Sequence, residues 1–194
     1  RQRQMCIRDR TITSFKTAWL SSRMPKVDKV VFVVDRIQLT KQTNENYRAY
    51  DPDATDQFDG IVQDTNNTTD LSRKLKSKSN GIIVTSVQKL DSLIKRKSFK
   101  TPEKNIVFIV DEAHRSTGGE SFENIQKAFK HAAWVGYTGT PMFDETTKGL
   151  RTEDIFGPLL HAYTIREAIA DRNVLGFKAV SYTHLRAHET CADL

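Results

Sequence analysis

Two adjacent acids, a small residue and a histidine, Asp111-Glu112-Ala113-His114, directly follow the apolar run Ile106-Val107-Phe108-Ile109-Val110. Such a run suits a strand covered on both faces, as parallel strands in α/β sheets are. Acids at its carboxyl end stand at the edge where open α/β sheets bind ligands. There one carboxylate can hold Mg2+, through water, so that the ion spans two phosphate oxygens, and its neighbour can orient and deprotonate an attacking water. Both reach one crevice because the chain is turning, and the histidine can touch a neighbouring loop. In isolation the pair reads better as an acidic surface turn.

A second stretch changes that balance. Trp134 to Pro141 (WVGYTGTP) reads as another strand running into a loop of small and hydroxyl residues, about one βαβ unit further on. Thr138, Gly139 and Thr140 suit a loop that shifts between hydrogen-bond partners, and Pro141 fixes its exit.

The elements that must position these groups alternate along the chain. Strands are expected at Lys29 to Asp35, near Gly60 to Val62, at Gly81 to Ser86, at Asn105 to Val110 and from Trp134. Between them lie helical patterns at Thr11 to Arg23, Arg36 to Tyr50 (with Ile37, Leu39 and Tyr47 facing inward), Thr65 to Asn80, Val87 to Arg96 and Ser121 to Ala132, and a last one follows Thr164. Asn80-Gly81 is expected to end the third helix, and Ser121 and Thr164 to cap the last two. Alternation of this kind implies right-handed βαβ units and a mostly parallel sheet flanked by helices. Asp51 to Asp59 reads as a polar connector.

At 194 residues and 38% hydrophobic, the chain is long enough for a proper core and most naturally forms one domain. No apolar run approaches a membrane span and the start lacks a signal-peptide core, so the chain reads as cytoplasmic, with no membrane partner. The formal charge of +6 comprises +3 from residues 1–10, +4 from 11–180 and -1 from 181–194; this permits nucleic acid without demanding it. Its two cysteines, Cys6 and Cys191, lie in the end segments and imply no disulfide framework. His184, His188 and Cys191 would share a helix face, but a fourth metal ligand is missing. The lysine-rich runs at 74–80 and 95–100 read first as solvated helix faces.

Four ordered motifs carry a resemblance. VDEAHRS followed by GYTGTP resembles motifs II and III of superfamily 2 helicases and translocases; VFVVDRIQLTKQT (Val31 to Thr43) resembles motif Ia, and IIVTSVQKL (Ile82 to Leu90) the segment beside motif Ib. The wording is most similar to the motor (R) subunit of type I restriction enzymes, over nearly all of residues 11–180. That resemblance implies a RecA-like P-loop NTPase fold, incomplete at both ends, from a motor that hydrolyses ATP with Mg2+ and pumps double-stranded DNA. By motif position, Asp111 and Thr11 would serve the metal and nucleotide, with Glu112 the hydrolytic base. His114, Thr138, Gly139 and Thr140 would couple hydrolysis to movement, and Arg36, Gln42, Thr85, Ser86, Gln88 and Lys89 would face DNA. Implied partners are the modification (methyltransferase) and specificity subunits, a second motor lobe and an upstream nuclease domain.

The departures are as informative. The family's phosphate cradle, G-x-x-x-x-G-K-[ST], would end at Thr11, yet MCIRDR stands before it. Motifs IV to VI, with the arginine finger, are absent from the sequence. The resemblance therefore implies a fragment that hydrolyses ATP negligibly by itself. Residues 1–10 and 181–194 resemble translated sequencing-adapter read-through, which leaves 11–180 as the expected motor segment. Two alternatives stay open: another superfamily 2 helicase acting on DNA or RNA, and a noncatalytic nucleic-acid-binding module with a degenerate motor fold.

Overall fold

The computed structural model describes residues 2–35, 37–54, 60–113, 120–139 and 152–173, with side chains from Thr11 onward. Arg36, His114, Thr140 and the tail bearing His184, His188 and Cys191 lie outside the described residues, as do the side chains of Ile37 and Leu39.

Strands form where expected, at β1 (Lys29–Val34), β3 (Ile82–Ser86), β4 (Ile106–Asp111) and β5 (Ala133–Tyr137), while β2 (Val62–Gln63) is a two-residue strand that starts at the last residue of the stretch expected. They make one sheet in the order β2-β3-β1-β4-β5, and every adjacent pair is parallel. The helices are α1 (Gln2–Ser22), α2 (Ile37–Tyr50), α3 (Thr68–Lys76), α4 (Val87–Ile94), α5 (Glu120–Ala128) and α6 (Thr152–Phe156).

Period-two alternation divides the core between the two faces of the sheet. Val31, Val33, Ile83, Phe108 and Val110 pack against Leu71 and Leu75 of α3, Leu90 and Leu93 of α4, and Phe122 and Ile125 of α5. Val30, Phe32, Val34, Val84 and Ile109 face Phe15 and Ala18 of α1 and Tyr47 of α2. This division follows from handedness: the path from β1 to β2 moves one way across the sheet, the later paths move the other way, and crossovers of one hand then place their helices on opposite faces. At the centre of the first face, Phe108 stacks on Trp134 at 4.3 Å and meets Phe129 edge-on at 5.0 Å. Each such ring stabilises the fold by about 1.5–3 kcal/mol through burial.

Two helix ends differ from expectation. Asn67 caps α3, its side chain accepting from the Asp70 amide, but the helix stops at Lys76, short of Asn80-Gly81. Its last carbonyls are satisfied by a lysine instead of a glycine turn, since Lys104 Nζ reaches the oxygens of Leu75, Lys76 and Ser77 at 3.3, 3.1 and 2.6 Å. α5 begins at Glu120, so Ser121 lies inside its first turn and is not the cap. α6, a single short turn of helix, carries too little periodicity to be expected from the residues alone.

The chain from Leu160 onward forms a separate compact unit. Its described part holds α7 (Ile165–Ala170), closed as expected by Thr164 in a capping box with Glu167.

Candidate functional site

Because all strands run parallel, their carboxyl ends share one edge, and the groups singled out in the sequence collect there. Asp111 ends β4 level with Tyr137 of β5, so Glu112 and Thr138 leave the same edge of neighbouring strands. On the other side, Val110 of β4 pairs with Val33 of β1, which brings Asp35 to the same level. The chain leaves β1 in one direction across the sheet and β4 in the other. The acids therefore sit at a topological switch point, where open sheets form a ligand crevice.

Local geometry supports a built site. Asp111 Oδ1 accepts from the Glu112 amide at 2.9 Å, which holds the carboxylate against the turn. Glu112 itself has φ of 51°, in the left-handed region that disfavours side chains by about 1–2 kcal/mol. Strain of this kind at a strand end turns the backbone sharply and is concentrated at functional sites.

Helix α1 is tied to this edge by two tyrosines. Tyr47 of α2, fully buried, donates to Ser14 Oγ at 2.9 Å, and Ser14 donates to the Thr11 carbonyl at 3.0 Å. Burial pushes the Tyr47 phenol well above its usual range, the bond to Ser14 opposes this, and the nearby negative charge of Asp111 pushes it further up. Tyr137, the residue before Thr138, bonds Thr17 Oγ1 at 2.7 Å. Thr11, Ser14 and Thr17 thus form a hydroxyl row on one face of α1, and Thr17 is bonded to the residue that pairs with Asp111. Sequence reasoning missed Ser14, Thr17 and Tyr137, and took Tyr47 only as core; the three-residue spacing of the hydroxyls was the available signal.

The proposed DNA-facing residues separate into two groups. Gln42 is exposed on α2, and Gln88 is exposed with Nε2 donating to the Asp35 carbonyl at 2.9 Å, which ties α4 to the loop after β1. Lys89 is half-buried and bonds the Thr65 carbonyl. Thr85 and Ser86 are fully buried; Ser86 Oγ caps α4 at the Lys89 amide. A residue with no accessible surface cannot meet a phosphate, so these two position the segment instead of touching DNA. Thr138 is half-buried and Gly139 exposed.

Asp111, Glu112 and the α1 hydroxyls have the chemistry of a Mg2+ and phosphate site. The phosphate cradle does not fit. α1 continues unbroken from Gln2 through Thr11, so Thr11 lies in the helix interior, where the backbone amides are already bonded within the helix and cannot cradle a phosphate. Among the described residues no three His, Cys, Asp or Glu side chains gather as a metal cage. Among the described residues, therefore, Thr11 does not stand where a phosphate cradle would place it.

The match to a family model decides what the fold belongs to: the SWI2/SNF2 ATPase model aligns with residues 9–193. The chain belongs to the SWI2/SNF2 ATPase family. It is 41% identical over 175 residues to the type I restriction enzyme SsaAORF53P endonuclease subunit of Staphylococcus saprophyticus, covering 87% of this chain and 18% of that one. A second relative is the C-terminal part of the putative type I restriction enzyme MpnIIP endonuclease subunit of Mycoplasma pneumoniae, 41% identical over 126 residues, covering 62% of this chain and 58% of that one. Among solved structures, a nuclease-deletion mutant of the Type ISP restriction-modification enzyme LlaGI, in complex with a DNA substrate mimic, superposes with a TM-score of 0.59 at 16% identity, covering 84% of this chain and 15% of that one. That likeness supports the RecA-like α/β fold. The chain spans about a fifth of the staphylococcal relative's length. It is thus a helicase-like ATPase module related to type I restriction endonuclease subunits, and no described helix is long and apolar enough to cross a membrane.

Proposed function

We propose that the chain is the first motor lobe of a type I restriction enzyme R subunit, whose parent hydrolyses ATP to translocate double-stranded DNA before cleavage. The observation that carries this reading is the shared edge of Asp111-Glu112 and Tyr137-Thr138 at the switch point, in a chain of the SWI2/SNF2 ATPase family. In the intact parent, Asp111 and Thr11 would hold Mg2+ and Glu112 would be the base. His114, Thr138, Gly139 and Thr140 would couple the site to domain movement, while Arg36, Gln42, Gln88 and Lys89 would meet the DNA. Specificity and methyltransferase subunits, a second motor lobe and a nuclease domain complete the proposed assembly, in the cytoplasm. The motor segment is taken as residues 11–180, and the fragment is inactive by itself because Thr11 does not stand where a phosphate cradle would place it.

The test restores the missing flanks and measures ATPase rate with and without duplex DNA, beside Glu112→Gln. The expected outcome is DNA-stimulated hydrolysis that falls by two or more orders of magnitude in the variant. An unchanged rate in Glu112→Gln sinks the base assignment, and hydrolysis indifferent to DNA sinks the translocase reading.

A further inference from the structure

The acidic end of the sheet has an opposite. Residues 68–104, from α3 to the approach to β4, hold ten Lys or Arg against three acids, a net +7, so the other 157 residues together sum to -1. The chain's entire excess charge therefore resides in one segment, α3-β3-α4 and the loop after it. The fold gathers much of it: Lys76 Nζ lies 5.5 Å from the Phe99 ring centre, and Lys104 clamps the carbonyl end of α3. This brings Lys76 against Phe99, within the run that carries Lys97 and Lys100. The cluster lies at the amino end of the sheet, because Ile82 and Ile106 begin β3 and β4 there. Five steps along β4, from Ile106 to Asp111, separate that end from the acid, about 17 Å at 3.3 Å per step.

Two of the acids in this segment are already occupied. Asp70 binds Arg73 at 2.5 Å and Lys74 at 2.8 Å, and Asp91 binds Lys95 at 2.7 Å. Lys76, Lys78, Arg96, Lys97 and Lys100 are all exposed, and Arg96 is bonded to a neutral hydroxyl, that of Thr69, at 3.3 Å. Behind them the fully buried Lys29 reaches Ser77 Oγ and the Ser79 carbonyl and fixes the turn that carries Lys78.

We propose that Lys76, Lys78, Lys97 and Lys100 form a second nucleic-acid contact, binding the phosphate backbone at the end of the sheet opposite Asp111. The surface is polar apart from Phe99, which packs into the core, and no exposed large hydrophobic residue among those described falls within 68–104. A protein partner would need an apolar anchor at its centre. Phosphates need only positive charges and small donors, which the lysines and Ser77, Ser79 and Ser98 supply. The contact is independent of the nucleotide site, so it stands or falls separately from the motor reading.

The test uses this chain and a fluorescently labelled 20-base-pair duplex, with anisotropy read across salt concentrations. Four phosphate contacts give a slope of about -3.6 in log affinity against log salt, which weakens binding about 150-fold between 50 and 200 mM. Lys76, Lys78, Lys97 and Lys100 all changed to Gln reduce the slope by about 3.6, with an unchanged circular dichroism spectrum. Should that variant misfold, Lys97→Gln with Lys100→Gln alone reduces it by about 1.8. A control with Lys16, Lys26 and Lys41 changed to Gln keeps the original slope. Three results overturn the proposal: an unchanged slope in the patch variants, an equal loss per charge in the control, or polyglutamate binding as tightly as the duplex.

Discussion

The bond from Tyr47 to Ser14 is the point at which α2 holds α1 against the candidate site, and its removal has a calculable signature. Both groups are buried, at 0% and 3% exposure, and the oxygens are 2.9 Å apart. Tyr47→Phe deletes one donor and leaves Ser14 bonded to the Thr11 carbonyl, so the loss is that of one buried hydrogen bond, about 1 kcal/mol. Ser14→Ala strands the phenol without its acceptor in the core, which costs about 2 kcal/mol. In the double variant no hydroxyl is stranded, so its loss returns to about 1–1.5 kcal/mol, and the cycle shows a coupling of about 1.5 kcal/mol. The assay is urea unfolding of the four proteins with a common m-value. A pH series adds a second reading. The folded phenol's raised pKa means that above pH 10.0 the unfolded chain releases a proton that the folded chain keeps. Stability is therefore intact below 10.0 and falls by about 1.4 kcal/mol per pH unit above it, a fall absent from Tyr47→Phe. Additive single losses, or Ser14→Ala milder than Tyr47→Phe, would refute the bonded pair.

Three further outcomes are expected. Glu112→Gly relieves the positive φ and raises the urea midpoint above that of Glu112→Gln by the equivalent of about 1 kcal/mol; a lower midpoint for the glycine variant contradicts the strain. Gly136→Ala drives a Cβ to within 2.9–3.0 Å of the Phe156 ring and destabilises by about 1–3 kcal/mol, read as a lowered melting temperature, whereas an unchanged value means that α6 moves freely aside. Burial, and secondarily the charge of Lys104, hold Lys29 below its usual 10.5, so the unfolded chain binds the extra proton and stability rises with pH in the window just below 10.5; Lys29→Met should flatten that rise in a stability titration.

Much of the arrangement was legible in the residues. β1, β3 and β4 are apolar runs of strand length, and acids after Val110 beside hydroxyls after Tyr137 need only parallel pairing to share an edge. The cap at Thr164 was likewise local, since a side chain and an amide three residues on decide it. Where expectation failed, a distant group had intervened. Asn80-Gly81 did not end α3 because Lys104, 28 residues beyond Lys76, satisfies its carbonyls. Thr85 and Ser86 read as polar and available, yet helices on both faces of β3 enclose them.

The sequence by itself determined the alternation of strands and helices, the family motifs and the identity of the acids, because these depend on periodicity and order along the chain. Only the tertiary structure decided that Tyr47 and Tyr137 tether α1 beside Asp111, that Thr11 lies within a continuous helix and not at its start, and that two separate lysine-rich runs meet at the far end of the sheet. Those facts depend on which residues become neighbours across a right-handed crossover, and no local pattern encodes such distances.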